Sequence, residues 1–436
     1  MRAICTIAVA LAAVVVGRAD DWPQWMGPQR DLVWRESGIV DKFPEGGPKV
    51  KWRAAVSLGY SGPAVAGDRV YVMDFVLATG KITNNPGGRD KLTGKERVLC
   101  FDAKDGKPIW TKEFDTEYEL SFPGGPRCTP TVHDGKVYAL GAEGHFYCLD
   151  AAKGDVNWKK DFKAEYGAKT PIWGFTAHPL VVDNKVICVV GGDGSVAVAF
   201  DRNNGKELWK ALTASEQGYC PPMLIDAGGE KQALIFHGDG LTSLDPETGK
   251  DYWSVALKTD YAMAIAAPLR AGDYLYFSGY AGKSVGLKLD ADKPAVTEVW
   301  RASRGKAVAC DNSTPIIVGD VIYGNDGTNG AIIAAELKTG KRLWESFAHI
   351  NGKPAGHGTS FMVRHDDRFF LFNERGELLI AKMTPKGYEE ISRAKILDPT
   401  NTCFGRKVVW AAPAFAHKCA FLRNDKELVC VGLGKE

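Results

Sequence analysis

The sequence predicts an all-β fold, an eight-bladed β-propeller built from four-stranded antiparallel blades. Three observations predict it: a repeat that spans the chain, hairpin turns at regular spacing, and an isolated tryptophan strand near the N-terminus. The chain has 436 residues with 49 Gly, 12 Trp and 45% hydrophobic residues. No G-X-Y period accompanies the glycine, which excludes collagen, and the apolar content excludes a disordered chain.

The repeat places an acid, then Gly four positions later, then Trp four positions after that. The acid can accept backbone N–H groups of a turn, Gly supplies positive φ, and Trp packs on the returning strand. A degenerate copy has Asp290, lacks the Gly and reaches Trp300 only after ten positions. The regular triplets are Asp102/Gly106/Trp110, Asp150/Gly154/Trp158, Asp201/Gly205/Trp209, Asp245/Gly249/Trp253 and Glu336/Gly340/Trp344.

Each hairpin follows another pair of apolar runs joined by an Asp-Gly or Asp-Asn turn, as in residues 130–150 and 179–201. This makes four strands in each unit of roughly 44–58 residues, which is typical of a propeller blade. The position two before the acid marks the third strand of each blade. Eight such positions occur: Cys100, Cys148, Ala199, Ser243, Lys288, Ala334, Ala381 and Cys430.

The eighth unit, 411–433, has no tryptophan strand after it, whereas residues 48–56 carry Trp52 without a blade of their own. We expect the Trp52 strand to complete the C-terminal blade, because closing the ring removes exposed sheet edges. The predicted organisation is therefore an N-terminal arm at 20–44 and a single propeller at 45–436.

Residues 1–19 combine Arg2, an apolar run from Ile4 to Val16 and small residues before Asp20, which is typical of a cleavable signal peptide. Its removal after Ala19 lowers Lys+Arg from 55 to 53 against 53 acids, so the mature chain is neutral. We expect a periplasmic or secreted protein that is a monomer and has no membrane span. Because the mature chain is neutral and has no basic runs, we expect it not to bind nucleic acid.

The repeats resemble the PQQ-type quinoprotein propeller family, whose blades carry an A-x-D-x-x-x-G-x-x-x-W motif, over about residues 45–436. The segments DWPQWMGPQRD and LGYSGPAVAGDRVYV are similar to the non-enzymatic exported BamB-like group. The resemblance implies, for the enzymes, PQQ held against adjacent cysteines with calcium bound by carboxylates and an amide. This chain has no Cys-Cys pair and no alignable calcium set, so we expect no catalytic residue, no cofactor and no metal.

The loops that enter the innermost strands meet around one end of a propeller axis, and here most of these strands are preceded by Pro. Aromatic surface with a few convergent polar groups favours a binding funnel; the alternative is that the aromatics plug the channel. The converging residues are Tyr60, Phe122, Arg127, Trp173, Phe175, His178, Tyr219, Tyr261, Asp311, Asn312, His357, Arg406 and Trp410. The binding candidates are Arg127, Trp173, His178, Asp311, Asn312, His357 and Trp410.

Nine cysteines remain after the leader, and none has zinc spacing. A two-residue turn within residues 423–426 would set Cys419 opposite Cys430, a register that favours free thiols over a disulfide.

The longest insertion, 76–97, is polar and turn-rich, which suits either a partner contact or surface ornament.

These features predict a non-catalytic binding or scaffold protein of the cell envelope with a protein or peptide partner, and with room for a small molecule in the funnel. The alternative is a PQQ-dependent alcohol dehydrogenase-like oxidoreductase using calcium in the same funnel. A carbohydrate-binding propeller is a third class, which rests on the aromatic funnel and the exported location. Sugar hydrolysis needs two placed carboxylates, and Asp311 is the one central acid that the sequence places.

Overall fold

The computed structural model of the protein describes residues 21–435, so the predicted signal peptide lies outside the described residues. Alternating apolar residues in short runs, separated by glycine-containing turns, form strands throughout. Eight sheets have four antiparallel strands each, and in seven of them the strands follow chain order from the axis outwards. The eight-bladed propeller predicted from the repeats is confirmed.

The first strand, β1 (Val50–Ala55), precedes the first complete blade. Blades 1 to 4 then follow without interruption, and a short helix, α1 (Phe162–Tyr166), follows blade 2. Their strands are β2 (Ala64–Ala66), β3 (Arg69–Gly80), β4 (Asp90–Asp102), β5 (Pro108–Leu120), β6 (Thr131–His133), β7 (Lys136–Leu140), β8 (His145–Asp150), β9 (Val156–Asp161), β10 (Leu180–Val182), β11 (Lys185–Val189), β12 (Ala197–Asp201), β13 (Glu207–Ala211), β14 (Met223–Ala227), β15 (Glu230–His237), β16 (Gly240–Leu244) and β17 (Asp251–Ala256).

Blades 5 to 8 follow a 3₁₀ turn at Asp260–Ala262, and a two-stranded hairpin precedes the last blade. Seven of the eight innermost strands begin directly after a proline, as the sequence predicted. The remaining strands are β18 (Leu269–Ala271), β19 (Tyr274–Gly279), β20 (Lys283–Leu289), β21 (Val296–Ala302), β22 (Ile316–Val318), β23 (Val321–Asn325), β24 (Ile332–Glu336), β25 (Arg342–Ser346), β26 (Ser360–His365), β27 (Arg368–Asn373), β28 (Glu377–Thr384), β29 (Gly387–Lys395), the hairpin β30 (Asn401–Cys403) and β31 (Arg406–Val408), then β32 (Ala414–Ala416), β33 (Cys419–Arg423) and β34 (Glu427–Gly432).

The ring closes where β1 pairs with β34, with Val50 opposite Val431. The sheet order is β1-β34-β33-β32, so β1 supplies the outermost strand of blade 8. This confirms the predicted closure by the Trp52 strand. The guanidinium of Arg423 is buried at the same junction and donates to the carbonyl oxygens of Ser57 and Met73, joining blade 8 to blade 1.

Six of the repeat tryptophans bind one blade to the next. The Trp52 indole N–H donates to the carbonyl oxygen of Ala103 in blade 1 at 2.9 Å, and Trp110, Trp158, Trp209, Trp300 and Trp344 make the equivalent bond to the following blade. Trp253 instead donates to Gln232 in its own blade at 2.8 Å. The blade after Trp253 carries the degenerate copy at Asp290, which lacks the docking glycine.

Two details differ from the sequence expectations. Cys430 lies opposite Phe421, and Cys419 lies opposite Gly432, because the β33–β34 turn centres on Asp425 and Lys426, one residue later than expected. The prediction of a directly opposed Cys419–Cys430 pair is therefore wrong. The nine cysteines of the described chain are free and buried.

Residues 21–435 contain no helix that is both long and apolar enough to span a membrane.

The insertion at 76–97 is also different from the expected loop. Its two sides continue the ladder of β3 and β4 as far as Gly80 opposite Leu92, so that blade 1 extends well beyond the other blades.

Candidate functional site

A pocket of about 600 Å³ opens at the end of the axis where the innermost strands begin. Segments leading into all eight of these strands contribute to its lining. This volume lies within the range of about 300–1,000 Å³ that is usual for small-ligand sites. The convergence predicted from the sequence is therefore present as one continuous pocket.

The N-terminal arm forms the floor of this pocket. Trp22 pairs with Val65 of β2 through two hydrogen bonds of 2.9 and 2.8 Å, and the carbonyl oxygen of Pro23 accepts from the next blade. On the other side, the carbonyl oxygen of Leu32 accepts from Arg364 of β26 at 2.8 Å. The arm thus crosses the channel on the inner strands of separate blades. It closes one end of the channel, while the rim aromatics leave the other end open.

Buried polar contacts hold the arm in place. The guanidinium of Arg30 donates to the carbonyl oxygens of Pro179 and His178, and the Glu36 carboxylate accepts from the backbone N–H of Lys418 at 2.9 Å. Burial lowers the pKa of Arg30 to about 10 because desolvation disfavours the charged form. Trp22, which the sequence left without a role, is therefore a structural part of the floor, whereas Trp34 is buried in the core against His365, Phe370 and Phe415.

All seven binding candidates from the sequence line the pocket: Arg127, Trp173, His178, Asp311, Asn312, His357 and Trp410. Two residues of the wider converging set do not. Phe175 packs in the core of blades 2 and 3, and Arg406 forms an ion pair with Glu374 at 2.8 Å. Glu374 also accepts from the Trp410 indole at 3.2 Å, so Arg406 positions that ring indirectly.

Aromatic side chains run around the opening, and we call this set the aromatic rim: Phe122, Trp173, Tyr261, Tyr280, His357, Phe404 and Trp410. Neighbouring ring centroids are 4.8 to 6.4 Å apart from Trp173 through Tyr261, Tyr280, His357 and Phe404 to Trp410. Tyr261 and Phe404 are the most exposed, at 71% and 46%. The rim therefore presents apolar ring surface to whatever enters.

Four rim residues have left-handed backbone conformations. The φ angles are 48° at Phe122, 56° at Tyr261, 55° at His357 and 50° at Phe404. This conformation costs a non-glycine residue roughly 1–2 kcal/mol, and such strain concentrates at functional sites. At Tyr261 and Phe404 the strained backbone places an exposed aromatic ring at the opening, whereas the Phe122 ring is buried against Cys403 and Val408.

One wall of the pocket is polar, and we call residues 311–314 the polar wall. The Asp311 carboxylate is 5% exposed and lies 3.2 Å from the His357 Nδ1. Burial raises the pKa of Asp311, and the hydrogen bond from His357 opposes that rise. Gly327 is required beside it, because a Cβ there would lie 1.9 Å from the carboxylate. The Ser313 hydroxyl is buried against the Cys310 thiol.

Two basic side chains lie on other walls. His178 stacks on Trp25 of the floor at 4.8 Å, and burial holds its pKa well below the ordinary value, so the ring is neutral. Its Nδ1 has no partner among the described residues. Arg127 lies 4.9 Å above the Tyr60 ring and donates to the carbonyl oxygens of Ser121, Phe122 and Gly125. Its donors therefore stabilise the rim loop.

The tip of the long blade 1 extension reaches the opening, where Pro86 and Gly87 join the lining. The Asn84 amide donates to Asn401 Oδ1 and to the Thr402 carbonyl oxygen, both at 2.8 Å. The Asn85 carbonyl oxygen accepts from Ser121 at 2.7 Å. The insertion thus binds the chain's own pocket loops.

Sequence reasoning missed Tyr280, Phe404 and Ser313. Tyr280 follows β19 and Phe404 lies between β30 and β31, so neither precedes an innermost strand directly. Loops joining the second and third strands also reach this end of the axis, and including them would have found Tyr280.

The described residues contain no group of three or more His, Cys, Asp and Glu side chains able to hold a metal ion. Asp311 is the one carboxylate among the described lining residues, whereas calcium takes about 6–8 oxygen ligands. The donor set therefore does not fit a calcium-bound quinone.

The fold and site define an eight-bladed propeller with an aromatic-rimmed axial pocket that is open at one end. A family model described as outer membrane protein assembly factor BamB matches residues 94–346, more than half of the chain. The chain belongs to this family. Comparison with curated proteins gives no match.

Solved structures share the architecture at low identity. The quinohemoprotein alcohol dehydrogenase from Comamonas testosteroni matches with 12% identity and a TM-score of 0.59, covering 95% of this chain and 81% of that one. A europium-containing methanol dehydrogenase matches with 13% identity and a TM-score of 0.58, covering 94% and 89%. BamB from Moraxella catarrhalis covers 90% and 97%, with 15% identity and a TM-score of 0.42. At these identities the likeness concerns the fold alone.

Proposed function

We propose that the protein is an exported, non-catalytic binding protein of the cell envelope that engages its ligand at the axial pocket. The observation that carries the proposal is the strained aromatic rim above a closed floor. Phe122, Tyr261, His357 and Phe404 hold their rings at the opening at the cost of left-handed backbone. Tyr261 and Phe404 are the most exposed of these side chains, and a bound ligand would bury them, which offsets that cost.

The envelope location is supported by two independent features. Residues 1–19 have the composition of a signal peptide, and the matching family model is described as an outer membrane assembly factor. A protein or peptide partner is the expectation from the sequence. The closed floor limits what can enter deeply to a chain end or a protruding group.

The dehydrogenase alternative receives less support from the site. Arg127 donates to three carbonyl oxygens, and Asp311 contacts His357. Few charged or hydrogen-bonding side chains therefore remain to bind a polyanionic quinone.

Incubation of the purified protein with PQQ and calcium separates the two functions. We expect no quinone absorbance bound to the protein after gel filtration and no dye-linked alcohol oxidation. A stoichiometric quinone complex that oxidises alcohols would overturn the proposal.

Photo-crosslinking tests binding directly. A photoreactive phenylalanine at Tyr261, on the rim, should yield a specific adduct in the envelope of producing cells. The matched control places the same residue at Ile109, which is 43% exposed on the outer strand β5. Equal labelling from both positions, or none from Tyr261, would contradict binding at the pocket.

A further inference from the structure

We infer that the partner at the axial pocket is an acidic polypeptide segment, whose carboxylates bind a cluster of cations on one side of the opening. The inference rests on the proposed binding function and names the chemistry of the partner at that same site. It is drawn from the exposed charges around the opening, which the neutral total charge of the chain does not reveal.

Four exposed cations lie where blades 5 to 8 border the opening, and we call them the basic cluster: Arg304, Lys306, Lys353 and Lys407. They belong to three segments that connect successive blades, namely 303–315, 347–359 and 396–413. None of the four cations forms an ion pair with a carboxylate of the described residues. Their charge is therefore available to a partner.

Hydrogen bonds between the three segments hold the basic cluster together. The Asn312 amide donates to the His357 carbonyl oxygen at 3.3 Å, which joins the first segment to the second. The Arg406 guanidinium donates to the Gly356 carbonyl oxygen at 2.9 Å, which joins the third segment to the second. The rings of His357 and Phe404 stack at 4.8 Å across the same junction. The basic cluster therefore borders the aromatic rim.

Carboxylates do not offset the charge of the basic cluster. The three segments contain two of them, Asp311 and Asp398. Asp311 is 5% exposed and contacts His357, and Asp398 forms an ion pair with the lysine three residues before it. An exposed cluster of one sign attracts the opposite charge and favours partners that carry it. This side of the opening therefore favours an acidic partner.

The opposite side of the opening carries acids, which determines the class of partner. Glu216, Asp239 and Asp260 lie there, in loops that lead to or from the strands of blades 3 to 5. Nucleic acid, a polyuronate or an anionic bilayer has a negative charge on every unit, and would meet these carboxylates as well as the basic cluster. A polypeptide can place acids on one side and uncharged residues on the other. The charge distribution therefore favours a polypeptide.

The pocket accommodates the uncharged part of such a segment. Its inner wall includes Met263, Ile265 and Met362, and Phe404 is 46% exposed beside the basic cluster. An apolar side chain that enters the pocket would bury this surface. Neighbouring residues of an extended chain lie about 3.3–3.6 Å apart, so carboxylates a few positions away would reach the basic cluster. We therefore expect an apolar residue flanked by acids.

The test is fluorescence anisotropy of the full mature protein with three labelled acidic octapeptides, DEDXXEDE, in which X is Leu, Phe or Trp. The matched peptides NQNXXQNQ have nearly the same shape without the charge. We expect at least one acidic peptide to bind with a dissociation constant below about 100 μM, at least about tenfold more tightly than its matched peptide. Raising NaCl from about 50 to about 300 mM should weaken it severalfold, because salt screens exposed charges.

Charge reversal locates the contact. The double variant Arg304→Glu/Lys353→Glu should weaken binding of the acidic peptide at least about tenfold. Lys206→Glu/Lys250→Glu is the matched control, because it changes the total charge equally at exposed turns between outer strands, at the other end of the blades. This control should change the affinity less than about twofold. All four positions are exposed, so these variants keep the core intact.

Two results with the peptides overturn the inference. One is no binding of any acidic peptide at about 1 mM, or binding that the matched peptides equal. The other is equal weakening by the two double variants, which would show attraction to the total charge and not to the basic cluster.

The other polyanions are compared in the same buffer. The probes are polygalacturonate, an oligothymidylate of eight nucleotides, and vesicles of phosphatidylglycerol and phosphatidylcholine. Tighter binding of any of them than of the acidic peptides overturns the inference. If the peptides fail but the Tyr261 crosslinker still gives a specific adduct, the proposed binding function stands with a partner of other chemistry. If both experiments fail, the proposed function falls as well.

Discussion

The docking glycines act through contact with a neighbouring tryptophan as well as through their backbone conformation. Gly106 has φ of 72°, and a Cβ there would lie 2.6 Å from the Trp52 ring. Gly154, Gly205 and Gly249 face the tryptophan of the preceding blade at 2.6 to 2.8 Å in the same way. Such a distance requires one of the two blades to move.

Comparison of Gly106→Ala with Gly135→Ala isolates the contact. Gly135 also has φ of 72°, but a Cβ there meets no atom within 4 Å. In both variants an alanine at positive φ lowers the free energy of unfolding by about 1 kcal/mol. Gly106→Ala should lower it by about 1–3 kcal/mol more, because the added Cβ overpacks the contact with Trp52. Urea unfolding measures both, and equal losses would contradict a docking role.

A buried histidine should make the protein sensitive to acid. Burial lowers the pKa of His349 to about 3, against an ordinary value of about 6.5. Between these values the unfolded chain binds a proton that the folded chain does not, so stability falls as the pH falls below 6.5. The expected loss from His349 is about 2 kcal/mol between pH 7 and pH 5.

His349→Gln should flatten this dependence, whatever its effect on stability at pH 7. The measurement is the free energy of unfolding in urea at pH 7, 6 and 5 for both proteins. The same slope in the variant would show that other groups cause the acid sensitivity.

At the scale of elements, the extension of β3 and β4 is tied to the pocket through its tip. Asn84 is the amide donor that reaches Asn401 and Thr402, and its φ of 52° suits glycine. Asn84→Gly should therefore release the tip without adding backbone strain. Hydrogen exchange in residues 81–89 should rise, while the unfolding midpoint changes little.

Thr79→Ala is the matched control within the same extension, where Thr79 bonds Thr93 in the exposed part of the ladder. Loss of the Thr79 hydroxyl should leave hydrogen exchange in residues 81–89 unchanged. Protection that persists in Asn84→Gly would mean that the β ladder alone orders the tip.

The elements were predictable to different degrees. The strands, turns and blade number follow from the acid–Gly–Trp spacing, because turn chemistry and alternating apolar residues are local signals. The extended ladder from Leu77 to Gly80 was not, since polar residues at 79–97 look like a loop when their partner strand is unknown. The arm has no periodicity, and its pairing with Val65 and Arg364 depends on the closed ring.

The site shows the same division. Seven lining residues could be predicted because each precedes an innermost strand, and this position fixes the end of the axis at which the residue lies. They are Asp311, Asn312, His357, Trp173, Arg127, His178 and Trp410. Tyr280 and Phe404 escaped because their loops reach the opening from other positions in the blade. The Asp311–His357 contact joins different blades, so no local pattern encodes it.

For the whole molecule, the junction between blades 8 and 1 should control stability. Arg423 is fully buried there and bonds the carbonyl oxygens of Ser57 and Met73. Arg423→Met should cost about 2–4 kcal/mol, because it leaves buried carbonyl oxygens without donors. Far-UV circular dichroism and tryptophan fluorescence should shift together, as expected if the ring opens as one unit.

Arg301→Met provides the control on blade 5, where Arg301 is partly exposed and pairs with Glu298. It should cost less than about 1 kcal/mol. A loss comparable to that of Arg423→Met would remove the special role of the junction.

The pairing of β1 with β34 also has a kinetic consequence. Val50 meets Val431 across nearly the whole described chain, so this ladder cannot form until almost every blade has been synthesised. Contacts of such long sequence separation form slowly, because loop closure comes before any pairing. Until then, the outer edge of β34 and the underside of the pocket remain uncovered. Newly made chains should therefore depend on chaperones most strongly during this last step.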